Sequence, residues 1–317
     1  MTTIYLADTA IRAEQISAVR AHLPAGWQLS ETPAGAAAIL TENVDVTAEM
    51  LAASGESLRL IVHLDTGTAH VAPTSLPVVD LPNTALTGVA ELTVLLILAL
   101  SRHLLWVTEQ TRQQRWLPEK SEPILTDQRR YTYNWIGLED FGTLYGKTVG
   151  LVGLGLIGRA VAARLRPFGV KLLYAQRRRL EPAAEAQLGV RWRDLDDLLQ
   201  ESDVVSLHHR FQEGPDGNDR HIGARELALM KPTAYLVNTA RGRLVDEDAL
   251  VEALRDGRIA GAALDVFRYE PLPPDHPFFA LAGDRLILTP HVAGAPVKEA
   301  WETIARELVE RVGQVLV

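Results

Sequence analysis

Residues 147–158 read KTVGLVGLGLIG. The strand-like run TVGLV passes without a polar break into three glycines spaced G-x-G-x-x-G, and GRAVAARLRPFG from the third has helical spacing. An apolar run of this kind suits a strand covered on both faces. In a strand–turn–helix context the glycines have separate uses. Gly153 permits the tight turn, Gly155 lets the backbone approach a pyrophosphate, and Gly158 lets helix pack on strand. The helix start, at Leu156 and Ile157, adds unpaired amides and a dipole that favours phosphate. The stretch therefore predicts a dinucleotide-binding turn.

Working outward toward the C-terminus, VKLLYAQ, DVVSLHH, AYLVNTA, IAGAALDV and RLILTPHV read as strands. DLDDLLQE, ARELALM and DEDALVEALRDG read as helices between them. Repeated βα units with continuous apolar strands predict an α/β fold with a doubly wound parallel sheet of Rossmann type. Toward the N-terminus, TIYLAD, AAAIL, LRLIVHL and PVVDLP predict a second, smaller flavodoxin-like α/β domain. The run VAELTVLLILAL, 89–100, is too short to span a bilayer and reads as a buried helix. The last stretch, APVKEAWETIARELVERV, has helical spacing, which predicts a helix returning to the smaller domain. The expected division is 1–95 with 292–317 for that domain and 96–291 for the dinucleotide-binding domain. The irregular, aromatic-rich segment from Gln113 to Tyr145 predicts a dimer contact.

The chain has 317 residues, a net charge of −8 and no cysteine. Thiol nucleophiles, disulfides and thiolate metal sites are thereby excluded, and non-specific nucleic-acid binding is disfavoured. The N-terminal MTTIYLADTA lacks a basic region and an apolar signal core, so a cytoplasmic protein without membrane attachment is expected.

After the next strand, residues 171–180 read KLLYAQRRRL. An acid about 20 residues beyond the glycines would hydrogen-bond the adenosine ribose of NAD. Here the strand ends in Ala175 and Gln176 instead. An acid would repel a 2′-phosphate, whereas Arg177 and Arg178 offer planar donors to one. The turn predicts NADPH; Gln176 can also bond a plain ribose hydroxyl, which leaves NADH open.

Three further stretches fall where parallel strands end. LVNTARGRLVDEDAL carries Arg241, GAALDVFRYEPLPPDHP carries Asp265 and Glu270, and LILTPHVAGAP carries His291. An arginine can pair with a substrate carboxylate and polarise its carbonyl. A histidine can give a proton to the carbonyl oxygen, and a neighbouring glutamate favours its charged form. Together these residues suit the reduction of a 2-keto acid.

With GKTVGLVGLGLIG, VNTARGRLVDEDAL, GAALDVFRYEPLP and LTPHVAG all present, the chain resembles the D-isomer-specific 2-hydroxyacid dehydrogenase family over nearly its full length. The resemblance implies a two-domain, homodimeric enzyme that binds a small 2-keto or 2-hydroxy acid in an interdomain cleft. It implies that Arg241 orients the substrate, that Glu270 pairs with His291, and that His291 is the acid/base. Asp265 would contact the nicotinamide carboxamide, with Thr239 and Ala240 also at the cofactor. The Ala-Gln-Arg turn resembles that of NADPH-preferring glyoxylate/hydroxypyruvate reductases, with Arg177 in the phosphate-binding place. Two departures stand out. HLDTGTAHV has Asp65 where the family's substrate loop has its first glycine, so Thr66 and Gly67 are left to donate amides, with Asp65 expected to turn away. LHHRFQEGPDGNDRHI has Arg210 in place of a proline and a longer loop after it. The adjacent His208 and His209 make a poor metal site, and no metal is expected. Alternative readings are a D-3-phosphoglycerate dehydrogenase, a nucleotide-sensing corepressor of the same fold, and a degraded enzyme that binds NADPH but turns over poorly.

Overall fold

The computed structural model describes residues 2–7, 13–41, 44–64, 71–81, 85–139, 142–215, 217–283, 285–294 and 298–316. The chain divides into two compact units, 1–85 with 295–317 and 86–294. The first division thus falls at the start of helix Ala85–Ser101 rather than near residue 95, and the second falls after Gly294 rather than after residue 291. The helix sorts with the larger unit because Ala90, Leu96, Ile97 and Leu100 share a core with Val149 and Leu151.

The smaller unit holds β1 (Thr2–Leu6), β2 (Trp27–Ser30), β3 (Ala38–Thr41), β4 (Leu60–Leu64) and β5 (Val78–Leu81). They form a parallel sheet in the order β2-β1-β3-β4-β5, the flavodoxin-like winding. Alternate residues feed the two faces. Ile4, Leu40 and Val62 pack with Ile304, Leu308 and Val312 of the terminal helix Lys298–Leu316, while Tyr5, Ile39 and Ile61 pack with Val46 and Leu58.

The larger unit holds β6 (Thr148–Val152), β7 (Lys171–Ala175), β8 (Val190–Trp192), β9 (Val204–Leu207), β10 (Tyr235–Asn238), β11 (Gly261–Leu264) and β12 (Leu286–Leu288). Their order, β12-β11-β10-β9-β6-β7-β8, is fully parallel and reverses between β6 and β9. That reversal opens the crevice in which doubly wound sheets hold ligands. One face of the sheet carries helices Ala85–Ser101 and Leu156–Leu165; the other carries Leu195–Glu201, Ala224–Leu229 and Glu247–Arg255. Among the described residues no single helix is long and apolar enough to cross a membrane. Between the helix Leu104–Arg112 and β6 the chain is mostly irregular, with Trp116 against Trp135 at 4.7 Å and Tyr131 and Tyr133 exposed.

Helix Leu195–Glu201 lies so close to β6 that a Cβ on Gly150 would sit 2.3 Å from Ser202 Oγ and 2.5 Å from Leu198 Cδ2. Ser202 Oγ is itself held, donating to Leu198 O. Gly150→Ala should therefore lower unfolding stability by about 1–3 kcal/mol, as overpacking does. Urea denaturation checks this, and an unchanged midpoint would contradict the close packing.

Candidate active site

At the end of β6, Gly153 has φ +95°, and a Cβ there would lie 2.7 Å from the amide nitrogen of His209, just beyond β9. A Cβ on Gly158 would lie 2.4 Å from Gly153 O. Both glycines are thus required by close packing. Gly155 differs, because nothing lies within 4 Å of the position its Cβ would take. Helix Leu156–Leu165 starts beside that open space without a side-chain cap. An open glycine face next to uncapped amides fits a pyrophosphate. Leu156 and Ile157 open that helix.

The turn after β7 is bonded into one shape. Gln176 Oε1 accepts from Leu154 N at 3.2 Å, and its Nε2 donates to Arg178 O at 2.6 Å. Gln176 thus clasps the glycine turn to its own turn. The three arginines differ in their commitments. Arg179 donates twice to the Glu185 carboxylate, at 2.8 and 2.9 Å. Arg177 and Arg178 are exposed and form no ion pair among the described residues. Arg210 is exposed as well, its carbonyl accepting from Asn218 Nδ2.

Arg241, Asp265, Glu270 and His291 follow β10, β11 and β12, which are neighbours in the sheet. The buried Asn238 side chain donates to Arg241 O at 2.9 Å and accepts from Ala240 N at 3.0 Å, which shapes the turn. Thr239 Oγ1 meets Thr93 Oγ1 at 2.8 Å; since Thr93 already donates to Val89 O, Thr239 is the donor. The Arg241 side chain is exposed and donates to Ala240 O. Gly242 abuts the next loop, where a Cβ would fall 1.9 Å from the Phe267 carbonyl carbon. Phe267 N in turn donates to Glu270 Oε1 at 2.9 Å. The other oxygen, Oε2, accepts from His291 Nδ1 at 2.5 Å. That bond places the proton on Nδ1 and leaves Nε2 for other chemistry.

Asp265 is fully buried. Its Oδ1 accepts from Thr289 Oγ1 at 2.6 Å and Val292 N at 3.0 Å, and its Oδ2 accepts from Ala293 N at 2.8 Å. Its carboxylate thus grips the segment on both sides of His291. His291 itself has φ +52°, a left-handed conformation that such a grip can hold. Thr66, Gly67 and Asp65 lie outside the described residues.

The long loop after β9 carries contacts that sequence spacing did not show. Val152 O can only accept, so His209 Nδ1 donates to it at 3.2 Å, and His209 Nε2 then accepts from His221 Nδ1 at 3.0 Å. Burial, then the neighbouring His221, lowers the His209 pKa to about 4. Burial, then His209, lowers that of His208 to about 3. Arg243, two residues beyond Arg241, pairs with Glu213 and with Asp219 (3.1 Å) and lies over Phe211, at 4.3 Å from the ring centre. Asp219 also faces Arg268 at 3.5 Å, joining the loops that carry Arg241 and Glu270.

Comparison with known proteins places this geometry. Residues 94–293 match the NAD binding domain of D-isomer specific 2-hydroxyacid dehydrogenases. A glyoxylate reductase of Thermofilum pendens is 39% identical over 86% of this chain and 76% of its own length. Another from Aeropyrum pernix is 37% identical over 81% and 72%. The structure of Aquifex aeolicus D-lactate dehydrogenase complexed with NAD and lactic acid superposes with a TM-score of 0.68 at 26% identity, covering 99% of this chain and 95% of that one. The chain belongs to the D-isomer-specific 2-hydroxyacid dehydrogenase family and is an NAD(P)-dependent enzyme of that family.

Two consequences can be measured. Gly242→Ala forces the Arg241 turn away from Phe267, so kcat/KM should fall by about 10²-fold or more; steady-state kinetics with activity near wild type would contradict the packing. The histidines bear on acid stability. An unfolded histidine binds its proton near pH 6.5, whereas His209 in the fold does so only near 4. Between those values the unfolded chain holds more protons, so stability falls as pH drops from about 6.5 toward 4. His209→Asn should show a shallower fall of thermal midpoint over that window. An identical slope would contradict a buried neutral His209.

Proposed function

We propose that this enzyme is an NADPH-preferring reductase of small 2-keto acids, glyoxylate and hydroxypyruvate among them, giving D-2-hydroxy acids. The observation that carries the reading is the Glu270–His291 contact, which fixes the proton on Nδ1 and frees Nε2. In this reading Arg241 pairs with the substrate carboxylate and polarises the keto group. His291 Nε2 gives its proton to the carbonyl oxygen, and Glu270 stabilises the charged imidazole. A dinucleotide held at the turn of Gly153, Gly155 and Gly158 would supply the hydride. Asp265 keeps His291 in place, and Thr239 and Ala240 lie along the cofactor. Support for NADPH comes from Arg177 and Arg178, exposed and uncommitted at the end of a strand that lacks an acid. Support for glyoxylate comes from relatives of that name at 37–39% identity. The exposed Tyr131 and Tyr133 support a homodimer.

Oxidation of NADPH and NADH would be followed at 340 nm with glyoxylate, hydroxypyruvate, pyruvate and a bulkier keto acid. NADPH should be preferred, and Arg177→Ala should weaken it by about 10-fold or more, the worth of a charge-assisted bond. His291→Asn should cut kcat by about 10²–10⁴-fold with cofactor binding kept. Binding of either dinucleotide with no turnover of any keto acid would overturn the reading.

A further inference from the structure

Glu185, in helix Pro182–Leu188, is a carboxylate with only 8% of its surface exposed. Buried carboxylates are costly unless fully bonded, and this one is bonded on every side. Its Oε1 accepts from Tyr174 Oη at 2.8 Å and from Arg179 Nε at 2.8 Å, and its Oε2 accepts from Arg179 Nη2 at 2.9 Å. Tyr174, wholly buried at the end of β7, has a second bond: its hydroxyl oxygen accepts from Leu180 N at 2.8 Å. The consequence is a closed frame. Tyr174 lies where the strand leaves the sheet, and Arg179 and Leu180 lie where the turn ends; Tyr174 and Arg179 converge on one carboxylate, and Leu180 is tied to it through the Tyr174 hydroxyl.

Inside the frame, Gln176 bonds both to the glycine turn and to Arg178 O, so the backbone of 176–178 is held at two more points. Arg177 and Arg178 are the two cations of the turn left facing outward. The Arg179 charge is neutralised by Glu185, and its guanidinium is drawn toward Trp192, 5.8 Å from the ring centre. Hydrogen bonds from Arg179, then Tyr174, lower the pKa of Glu185, so the frame stays ionised at neutral pH. An arginine pair on a loose loop would lose conformational freedom on meeting a phosphate; a pair on a braced turn loses less.

We propose that Glu185 is a positioning residue for cofactor specificity, which acts through Tyr174 and Arg179 to present Arg177 and Arg178 to the 2′-phosphate of the adenosine ribose. The inference rests on the NADPH preference proposed above. It assigns the discrimination between phosphorylated and plain ribose to a residue that touches neither.

The test is the dissociation constant of NADPH and of NADH, by fluorescence titration of the full-length protein, for wild type, Glu185→Gln, Tyr174→Phe and Arg177→Ala. Glu185→Gln should weaken NADPH by about tenfold, the loss of charge-assisted bonds, and NADH by less than about twofold. Tyr174→Phe, which keeps the carboxylate and Arg179 but releases Leu180, should move the ratio the same way by a smaller factor. It serves alone if Glu185→Gln does not fold. Equal weakening of both cofactors, no change in the ratio, or tighter NADPH binding by a released Arg179 would overturn the proposal. If Arg177→Ala lowers the ratio while neither Glu185→Gln nor Tyr174→Phe does, the positioning role fails and the NADPH reading stands. If Arg177→Ala leaves the ratio unchanged, the NADPH reading itself fails.

Discussion

The geometry around His291 depends on one buried carboxylate. Asp265 is buried without a cationic partner among the described residues, and three donors from the segment 289–293 satisfy it. Carboxylate bonds to backbone amides are strong where water is excluded. Here they hold His291 in a left-handed conformation and aim its ring at Glu270. Without that grip the Glu270–His291 contact would have to order a free loop, and one bond does not offset the entropy of several residues.

The same edge of the sheet shows how backbone packing, more than side-chain pairing, brings loops together. Gly242 lets the Arg241 turn rest on the Phe267 carbonyl, and Gly153 lets β6 end against His209. Each is a place where a methyl group would push two functional loops apart. Around them lies a shell of polar braces: Asn238 on the Arg241 turn, Gln176 on the glycine turn, and Asp219 between Arg243 and Arg268. Catalytic and binding groups on loops need such supports to hold their geometry.

Much of this is legible in the sequence, for physical reasons. Strands buried on both faces have continuous apolar runs, so β6, β7, β9, β10, β11 and β12 declare themselves, and a G-x-G-x-x-G turn after the first fixes the winding. Arg241, Glu270 and His291 stand at strand ends, where parallel sheets put ligands. What stayed hidden has a common character. The partners of Asp265 are mostly backbone amides more than twenty residues away, and no residue type signals an amide donor. The sequence shows three arginines after Gln176 but not that Arg179 is committed to Glu185, because the commitment depends on how helix Pro182–Leu188 folds back. The His209–His221 bond spans a loop whose path spacing does not determine. The division at Ala85 reflects which core receives the apolar helix, a choice that helical periodicity leaves open.

The proposed role of His291 requires that Glu270 hold its proton on Nδ1, which leaves Nε2 to exchange a proton with substrate. Nitrogen-15 NMR of the imidazole, assigned with His291→Asn, measures this directly across pH. The Glu270 contact predicts a neutral ring with its proton on Nδ1, and a disturbed tautomer in Glu270→Gln. A neutral ring protonated at Nε2, or a tautomer indifferent to Glu270, would contradict it.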